Sequence, residues 1–375
     1  MTAIPGSHNI IWINGKKISY NDIIHNEIAG LGLEGEFENN TIGLIKNWYG
    51  KEEFFSLQSS GSTGSPKTFK ASRRMLEASA GLTLKTLQLT QGMNAVLCLD
   101  TKYTAGIMML IRGLIGNQNI YAVNPSADPF SALPEELVID FIAIVPAQLG
   151  SIGKNNSIRR FTDRSNILVG GAPLPAELER RMQSFPGIYF QTFGMAETLS
   201  HIALKKLNGK GKSNVYETIG DITVSIAPDG CLAVKAPHLS EDKIITRDIV
   251  QLIDDRHFVW KGRADNMINS GGIKIQLEEL ETEIEKILDS TGIHVNFFIT
   301  SVPDDILGEK VIMLIEDPGD LYPGEVVIKT LKEKLKKYHL PRDIYRFRDF
   351  RYTENGKLDR LNTRKLLETG KGLIT

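Results

Sequence analysis

The sequence has no excess of charge of either sign: 44 lysines and arginines face 45 aspartates and glutamates, and the formal net charge is −1. A chain without an overall basic field is not expected to have nucleic acid as its partner. No apolar run reaches the length of a membrane span, so none is expected. The opening "MTAIPGSHNIIWING" lacks a basic segment followed by an apolar core, which favours a cytoplasmic protein.

Cysteine is also scarce. Cys98 and Cys231 are the only two, and both lie among apolar neighbours without the spacing of metal ligands. We therefore expect buried free thiols in a reducing compartment. The 375 residues are 41% hydrophobic and 24% charged, which is typical of a globular protein of two or three domains.

Apolar strands alternate with helical patterns through the first part of the chain. "NAVLCLD" and "DFIAIV" are typical of buried strands, and "AGIMMLIRGLIGN" predicts an apolar helix that ends near Gly116. Ser72 is placed to cap a helix whose inner face carries Leu76, Ala80 and Leu84. Strands that are apolar throughout predict a largely parallel sheet covered on both faces.

The pattern changes twice towards the C-terminus. From about residue 213, segments such as "APDGCLAVKAP" predict short strands and turns. From about residue 266, two amphipathic helices flank strands at "HVNFFIT" and "KVIMLIE". We predict an α/β protein with a large N-terminal domain (1–264), built of parallel sheets with flanking helices plus a β-rich subdomain. A small α+β C-terminal domain (265–375) follows.

The segment "SLQSSGSTGSPKTFKAS" at 56–72 is rich in glycine and serine. Such residues allow backbone N–H groups to point at a phosphate. Counted from Gly61, however, the common phosphate loop would need a second glycine where Pro66 stands before Lys67. Proline has no N–H, which disfavours that loop and leaves a flexible linker as the alternative.

This segment is followed in order by "VGGAPLP", "TFGMAETLSH", "TRDIV", "KGRADNMINSGGIKIQLEELE" and "YTENGKLDR". Together they resemble the adenylate-forming superfamily of acyl-CoA and aryl-CoA synthetases, luciferases and peptide-synthetase adenylation domains. The resemblance covers most of the chain, from about Ser59 to Leu361. It implies that a loop closes over the β- and γ-phosphates of ATP through Ser59, Ser60, Gly61, Ser62, Thr63, Gly64 and Lys67.

The resemblance also implies the other sites for ATP and Mg²⁺. Glu197 would hold Mg²⁺ and, with Lys357, serve catalysis. Phe193, Ala196 and Arg247 replace the usual tyrosine, threonine and glycine of the family patterns. Adenine and ribose would contact Gly170, Gly171, Ala172, Phe193, Gly194, Asp248 and Arg263. Without the resemblance, the glycine segment at 170–172 would be interpreted as a turn and Phe193 as a core aromatic ring. Asp248 and Arg263 would be interpreted as solvated surface charges.

The remaining implied roles concern the acyl group and the second half of the reaction. Asp265 would be the hinge of the small domain, and Gly271 and Gly272 would face the CoA tunnel. Tyr103, at the position of a family histidine, and His201 are candidates for the acyl pocket. A core tyrosine and a surface histidine are the alternatives for these two.

The expected activity is ATP-dependent activation of a carboxylic acid, through an acyl-adenylate, followed by transfer to CoA. The compact length and "GMAETLSH" are most similar to o-succinylbenzoate–CoA ligases of menaquinone biosynthesis, acting as a monomer or homodimer. Alternatives are another acyl- or aryl-CoA synthetase, a ligase that loads a carrier protein, and a non-catalytic nucleotide-binding regulator.

Overall fold

The residues of the chain group into two units. The computed structural model describes residues 10–25, 28, 30–50, 52–58, 68–155, 157–172, 174–352, 358–370 and 373. The N-terminal unit comprises 1–224, 234–244 and 253–258, and the C-terminal unit comprises 225–233, 245–252 and 259–375. The boundary expected between 264 and 265 stays a prediction.

The N-terminal unit alternates strands and helices. Its helices are α1 (Tyr20–Ile24), α2 (Gly35–Tyr49), α3 (Arg73–Thr86), α4 (Thr104–Ile115), α5 (Pro146–Lys154) and α6 (Ala176–Arg181). Its strands are β1 (Ile10–Ile13), β2 (Lys16–Ser19), β3 (Phe54–Gln58), β4 (Thr68–Ser72), β5 (Asn94–Leu97), β6 (Asn119–Ala122), β7 (Ile139–Ile144), β8 (Phe161–Val169), β9 (Ile188–Gly194), β10 (His201–Lys206) and β11 (Tyr216–Thr218).

One large sheet organises this unit, in the order β11-β10-β9-β8-β7-β5-β6-β1-β2. The strands from β9 to β1 run parallel to their neighbours. The predicted parallel sheet is therefore confirmed for the centre. Antiparallel strands extend it at both ends, with β10 and β11 beyond β9, and β2 beyond β1.

The helices beside the sheet begin and end for local reasons. The Ser72 hydroxyl accepts the Met75 N–H and caps α3, as predicted. Helix α4 ends with Gly116 at its C-cap, and every residue from Gly106 to Leu114 is buried. A helix that is apolar on all sides must be covered on all sides. Helix α5 packs on the sheet in a hydrophobic core that includes Leu149 of the helix and Ile142 of β7.

The segment 223–263, whose residues divide between the two units, forms the short strands expected there. They are β12 (Thr223–Ile226), β13 (Leu232–Lys235), β14 (Ile244–Ile245), β15 (Asp248–Leu252) and β16 (His257–Arg263). Strand β15 is hydrogen-bonded to β16. The first residues of β16 pair with β11, where Phe258 lies opposite Tyr216.

The rest of the C-terminal unit is a sheet with helices, in the order β18-β17-β20-β19, with β21 parallel to β20. Its elements are β17 (Met267–Ser270), β18 (Ile273–Gln276), α7 (Leu277–Ser290), β19 (Asn296–Asp304), β20 (Gly308–Glu316), α8 (Gly324–Lys332), β21 (Asp343–Phe347) and α9 (Arg360–Thr369). Leu280, Ile284, Val327 and Leu331 supply the expected apolar faces of α7 and α8. Leu335 follows the end of α8 and is also buried.

The state of the cysteines, the lack of a membrane span and the fold class were also predicted from the sequence. Cys98 and Cys231 are buried free thiols, as predicted. Within the described ranges, no helix is both long and apolar enough to cross a membrane. The α/β fold class, with a large sheet and a smaller C-terminal sheet, agrees with the prediction.

Candidate functional site

The first part of the candidate site lies where β8 and β9 end side by side. These strands are parallel, with Val169 opposite Gln191, so the segments that follow leave the same edge of the sheet. Gly170 donates its N–H to the Ile144 carbonyl at 3.1 Å. A Cβ atom at Gly170 would lie 2.1 Å from Thr192 Oγ1, so only glycine fits. Gly171, which is exposed, and Ala172 continue this turn.

Phe193 lies at the end of β9, in an aromatic cluster. Its ring is 5.1 Å from the Phe258 centroid and 5.5 Å from that of Tyr216. The Phe193 side chain is half-buried. It therefore packs against this cluster and is still partly accessible at the end of β9. Gly194 is exposed, and a Cβ there would lie 2.3 Å from the Ser200 carbonyl oxygen. The backbone at Gly194 therefore packs directly against the turn that precedes β10.

That turn carries Glu197, the predicted Mg²⁺ ligand. Thr198 Oγ1 accepts the Met195 N–H at 3.0 Å and donates to the Ser200 carbonyl at 2.8 Å. Leu199 has φ of 59°, an unusual left-handed conformation for its residue type. The Glu197 side chain is exposed, and the described residues contain no cluster of three or more metal-ligating His, Cys, Asp or Glu side chains. Glu197 could therefore serve as the protein's single ligand to a largely hydrated ion.

His201, predicted for the acyl pocket, follows this turn and is only 7% exposed. Its Nε2 lies 3.1 Å from Thr83 Oγ1, and its Nδ1 lies 3.4 Å from Ser200 Oγ. Burial, followed by the nearby charge of Arg112, lowers the pKa of His201 well below its ordinary value. His201 is therefore neutral at pH 7, and the surface alternative is wrong.

Tyr103, the other acyl-pocket candidate, is the N-cap residue of α4 and is half-buried. The next residue, Thr104, donates its hydroxyl to the Gln58 carbonyl at 3.1 Å. Gln58 is the last described residue before the predicted phosphate loop. Tyr103 thus lies near the hairpin from which that loop departs.

The phosphate-loop residues Ser59, Ser60, Gly61, Ser62, Thr63, Gly64 and Lys67 lie outside the described residues. Strands β3 and β4 on either side are antiparallel, and Gln58 lies opposite Thr68. Lys357 also lies outside the described residues. On either side of its segment, Tyr352 and Leu358 form an antiparallel bridge, and Asp359 donates its N–H to the Arg351 carbonyl at 2.8 Å.

Asp248, the predicted ribose contact, lies in the C-terminal unit at the start of β15 and is 7% exposed. Its Oδ1 accepts the Trp260 indole N–H at 2.9 Å, and its backbone N–H donates to Thr246 Oγ1 at 2.9 Å. Burial raises the pKa of Asp248, and the Trp260 hydrogen bond opposes that rise. The Trp260 bond thus fixes the orientation of a carboxylate that is largely removed from water.

Arg263 and Asp265 lie close together in the same unit. The Arg263 guanidinium donates to both Asp265 oxygens, at 2.8 and 2.7 Å. Gln276 Nε2 donates to the Arg263 carbonyl at 2.8 Å, and the Ala264 N–H donates to the Arg247 carbonyl at 2.7 Å. The predicted hinge residue thus lies in a 3₁₀ turn, Ala264–Asn266, held on both sides.

Gly271 and Gly272, predicted for the CoA tunnel, form the exposed turn between β17 and β18. Gly271 donates its N–H to the Leu307 carbonyl at 2.9 Å, which joins this turn to the β19–β20 hairpin.

Sequence reasoning missed three residues that shape these sites: Arg112, Thr192 and Trp260. Arg112 left a readable signal, because it is the only charged residue within "AGIMMLIRGLIGN". Thr192 and Trp260 left none, because their importance depends on which strand ends and side chains the fold places beside them.

The parallel strand ends, the glycine turn and the exposed glutamate lie at one edge of the large sheet of a mixed α/β fold, and sheets of this kind commonly bind ligands beyond the carboxyl ends of their strands. The sequence profile of the AMP-binding enzymes matches residues 54–229. An acyl-CoA synthetase (AMP-forming)/AMP-acid ligase II-like protein from Dyadobacter fermentans is 33% identical, with a TM-score of 0.59 over 89% of this chain and 95% of that one. The chain therefore belongs to the AMP-binding, adenylate-forming enzyme family.

Two curated relatives are more distant. The 2,3-dihydroxybenzoate–AMP ligase of Bacillus subtilis is 28% identical over 67% of this chain, and the match spans 52% of that protein. The 2-succinylbenzoate–CoA ligase of Staphylococcus aureus is 22% identical over 92% of this chain and 75% of its own length. The chain thus spans about half the length of the first of these relatives.

Proposed function

We propose that the chain is an AMP-forming acid–thiol ligase that converts o-succinylbenzoate into o-succinylbenzoyl-CoA, as in menaquinone biosynthesis. The observation that carries the proposal is the turn between β9 and β10. It holds an exposed glutamate beside a glycine-lined strand edge, in a chain that belongs to the adenylate-forming family. The name of the S. aureus relative supports this choice of acid.

The reaction has two halves. In the first, a carboxylate oxygen of the acid attacks the α-phosphorus of ATP, and pyrophosphate leaves with the electrons of the broken P–O bond. In the second, the sulfur of the CoA thiolate attacks the acyl carbon, and the acyl C–O bond breaks to release AMP. The thiol proton passes to solvent.

The residues divide the work of the first half between them. Gly170, Gly171, Ala172, Phe193 and Gly194 form the surface for adenine, because small side chains and a half-buried ring admit a flat base. Asp248 accepts hydrogen bonds from ribose hydroxyls, because its two carboxylate oxygens can accept more bonds than the one that Trp260 donates. The residues 59–64 and Lys67 bind the departing phosphates. Lys357 offsets negative charge as the acid approaches the α-phosphate.

The Mg²⁺ ion is expected to be held by Glu197 together with phosphate oxygens and water. A single exposed carboxylate fits that role, because Mg²⁺ keeps most of its waters when nucleotide phosphates share its coordination. Bound there, the ion would neutralise charge on the phosphates. The protein's own contribution is the Thr198 hydrogen bonds, which fix the backbone on which Glu197 stands.

The second half would follow rotation of the C-terminal domain about Asp265. We propose that this movement withdraws Lys357 and presents the Gly271–Gly272 turn to the thiol. That turn is exposed, so an extended thiol chain can reach it.

The test is pyrophosphate release by the purified protein with ATP, Mg²⁺ and each of o-succinylbenzoate, 2,3-dihydroxybenzoate, benzoate, acetate and a medium-chain fatty acid. We expect at least tenfold faster turnover of o-succinylbenzoate, which requires about 1.4 kcal/mol of differential transition-state binding. Addition of CoA should then release AMP and give a thioester of the expected mass.

Each alternative has its own outcome. Preference for a fatty acid would indicate a general acyl-CoA synthetase. Pyrophosphate release without a CoA-dependent thioester would indicate transfer to a carrier protein. Nucleotide binding without pyrophosphate release for any acid would indicate a regulator and overturn the proposal.

A further inference from the structure

The segment that carries Lys357 is bounded by two arms of chain that are joined to each other. Tyr352 and Leu358 form an antiparallel bridge, and the Asp359 N–H donates to the Arg351 carbonyl at 2.8 Å. Lys357 directly precedes Leu358 in the sequence, so a displacement of the bridge is passed to it through one rigid peptide bond. The contacts that fix Tyr352 and Leu358 therefore also fix the backbone from which the lysine starts.

Both arms pack on one apolar cluster of the C-terminal unit. Phe350 is 4% exposed, its ring centroid lies 5.3 Å from that of Phe298, and Leu358 packs against the same cluster. Tyr352 differs from these residues because 49% of its surface remains exposed. Burial in the core therefore does not fix Tyr352, and its position depends on the polar contact that its hydroxyl makes.

Glu316, the last residue of β20, provides that contact. Its Oε2 accepts the Tyr352 hydroxyl at 2.7 Å and the Asn296 amide at 2.8 Å, and its Oε1 accepts the Phe350 N–H at 2.7 Å. Burial, followed by the bond to Glu316, raises the pKa of Tyr352, so its hydroxyl remains a donor at neutral pH. Hydrogen bonds to a charged acceptor are about twice as strong as those between neutral groups. One carboxylate thus anchors two residues of this arm to the sheet.

The arm on the other side of Lys357 has its own anchor. Arg360 donates to both oxygens of Glu281, at 2.8 Å each. The lysine segment therefore has one arm anchored to a carboxylate of α7 and the other to a carboxylate of β20. Two anchors fix the direction of a segment as well as its position. Loss of the Glu316 anchor would leave the segment attached through Arg360, with its direction less defined.

We propose that Tyr352 and Glu316 are positioning residues for the adenylation half-reaction, because their hydrogen bond fixes the direction in which the chain presents Lys357. The inference rests on the proposed function and adds the side chains that aim the lysine. A charge stabilises a transition state only where it is held in place, and a misplacement of about 1 Å can cost about 10²-fold in rate. Tyr352 and Glu316 act through Lys357 and need not touch the substrate.

The test is Tyr352→Phe, which removes one hydroxyl and keeps the ring. Single-turnover pyrophosphate release should slow by about 5- to 20-fold, since one charge-assisted bond is lost. Thioester formation from added acyl-adenylate should stay within about twofold, because Lys357 does not serve that half. Glu316→Gln keeps the size of the side chain, weakens all three bonds and should slow adenylation at least as much. Tyr322→Phe is the matched control, because it removes a hydroxyl from a half-buried tyrosine that packs with α7 and α8, and it should change neither half.

A double variant separates positioning from a general structural effect. If Tyr352 acts through Lys357, Tyr352→Phe should slow adenylation no further in the Lys357→Ala background. Further slowing in that background would overturn the inference. An equal loss in both half-reactions for Tyr352→Phe alone would also overturn it, because it would indicate a structural role only.

Hydrogen exchange of the amides in residues 350–358 gives a readout that needs no turnover. Exchange should be faster in Tyr352→Phe than in the wild type and unchanged in Tyr322→Phe. Unchanged exchange in Tyr352→Phe, or faster exchange with normal pyrophosphate release, would overturn the inference and leave the proposed function intact. Wild-type protein that releases pyrophosphate with none of the acids would instead overturn the proposed function, and this inference with it.

Discussion

The guanidinium of Arg263 donates two hydrogen bonds to the carboxylate of Asp265, with Nε 2.8 Å from Oδ1 and Nη2 2.7 Å from Oδ2. The hydrogen bond from Arg263 lowers the pKa of Asp265, and the same pair raises the pKa of Arg263. The predicted nucleotide contact and the predicted hinge are thus partners of each other. While the pair is intact, the Nε and Nη2 edge of the guanidinium is occupied, so a ribose or phosphate oxygen must compete with Asp265 for that edge.

This pairing predicts opposite effects on ATP affinity. Arg263→Gln should weaken ATP binding by about tenfold, the typical value of a charge-assisted hydrogen bond. Asp265→Asn should leave binding unchanged or tighten it by a few-fold, because it releases the guanidinium. Both side chains are partly exposed, so thermal stability should change little. Calorimetric titration with a non-hydrolysable ATP analogue measures these effects.

The double variant makes this prediction decisive. If Asp265 acts through Arg263, Asp265→Asn should have no effect in the Arg263→Gln background, and the two single effects should not add. Additive effects, or wild-type affinity in Arg263→Gln, would show that the pair does not control nucleotide binding.

The raised pKa of Asp248 predicts that this residue's contribution to the free energy of unfolding falls as pH rises. Its folded pKa lies above the ordinary value of 3.8, so the folded state binds more protons between the two values. The free energy of unfolding therefore decreases as pH rises through that window and stays lower above it. Asp248→Asn removes this penalty and should raise Tm at pH 7 while weakening ATP binding by about tenfold. The gain in Tm should vanish below pH 3.8.

Asp254→Asn is the control of opposite sign. The exposed Asp254 accepts the N–H groups of Arg256 and His257, at 2.8 Å each, and the bond from Arg256 is the main reason that its pKa is lowered. Its stabilising effect is present at neutral pH and lost as pH falls through the folded pKa. This variant should therefore lower Tm at pH 7. Equal shifts in both variants would contradict the assignment for Asp248.

The close packing at Gly194 predicts that a side chain there would displace the turn that carries Glu197. A Cβ at this position would lie 2.3 Å from the Ser200 carbonyl oxygen and 2.5 Å from the His201 Cα, and backbone atoms cannot move aside cheaply. Gly194→Ala should cost about 1–3 kcal/mol, as overpacking does, and should slow pyrophosphate release at least tenfold. Thermal unfolding and the release assay measure the two effects.

Gly43→Ala is the matched change in helix α2, where a Cβ meets no atom within 4 Å. Alanine should there stabilise the helix by up to about 1 kcal/mol and leave activity unchanged. If Gly194→Ala behaves in the same way, the turn is not held by backbone contact at that glycine.

Local sequence patterns were sufficient to predict those elements whose limits depend only on neighbouring residues. The run "AGIMMLIRGLIGN" predicted helix α4 and its end at Gly116, and Ser72 predicted the cap of α3. Both depend on neighbours in sequence, through apolar periodicity and a hydroxyl placed before a helix.

The site depended instead on contacts distant in sequence. His201 is buried, and its hydrogen-bond partner Thr83 on α3 lies 118 residues away in the sequence. The pairing of β1 with β6 brings the N-terminal segment into the large sheet, which the alternation of later strands and helices did not predict. Arg112 could be singled out from sequence as the one charge in an apolar helix, but whether any carboxylate compensates it is decided only by packing.

Lys357 predicts a separation of the two half-reactions. The flanking bridge between Tyr352 and Leu358, and the two-point contact of Arg360 with Glu281 at 2.8 Å, hold the ends of its segment to the C-terminal unit. A charge delivered from that unit would act only when the unit faces the α-phosphate. Lys357→Ala should therefore slow acyl-adenylate formation by about 10²-fold or more, as loss of one aimed donor does elsewhere. Thioester formation from preformed adenylate should be largely spared.

The measurements are single-turnover pyrophosphate release, and CoA thioester formation from added o-succinylbenzoyl-adenylate. Lys365→Ala is the matched control, because Lys365 is an exposed lysine on α9. It removes the same charge from the same unit and should leave both halves at wild-type rates. Equal losses in both halves for Lys357→Ala would indicate that the lysine supports the fold or both reactions. The separate role, and with it the need for two domain orientations, would then have to be abandoned.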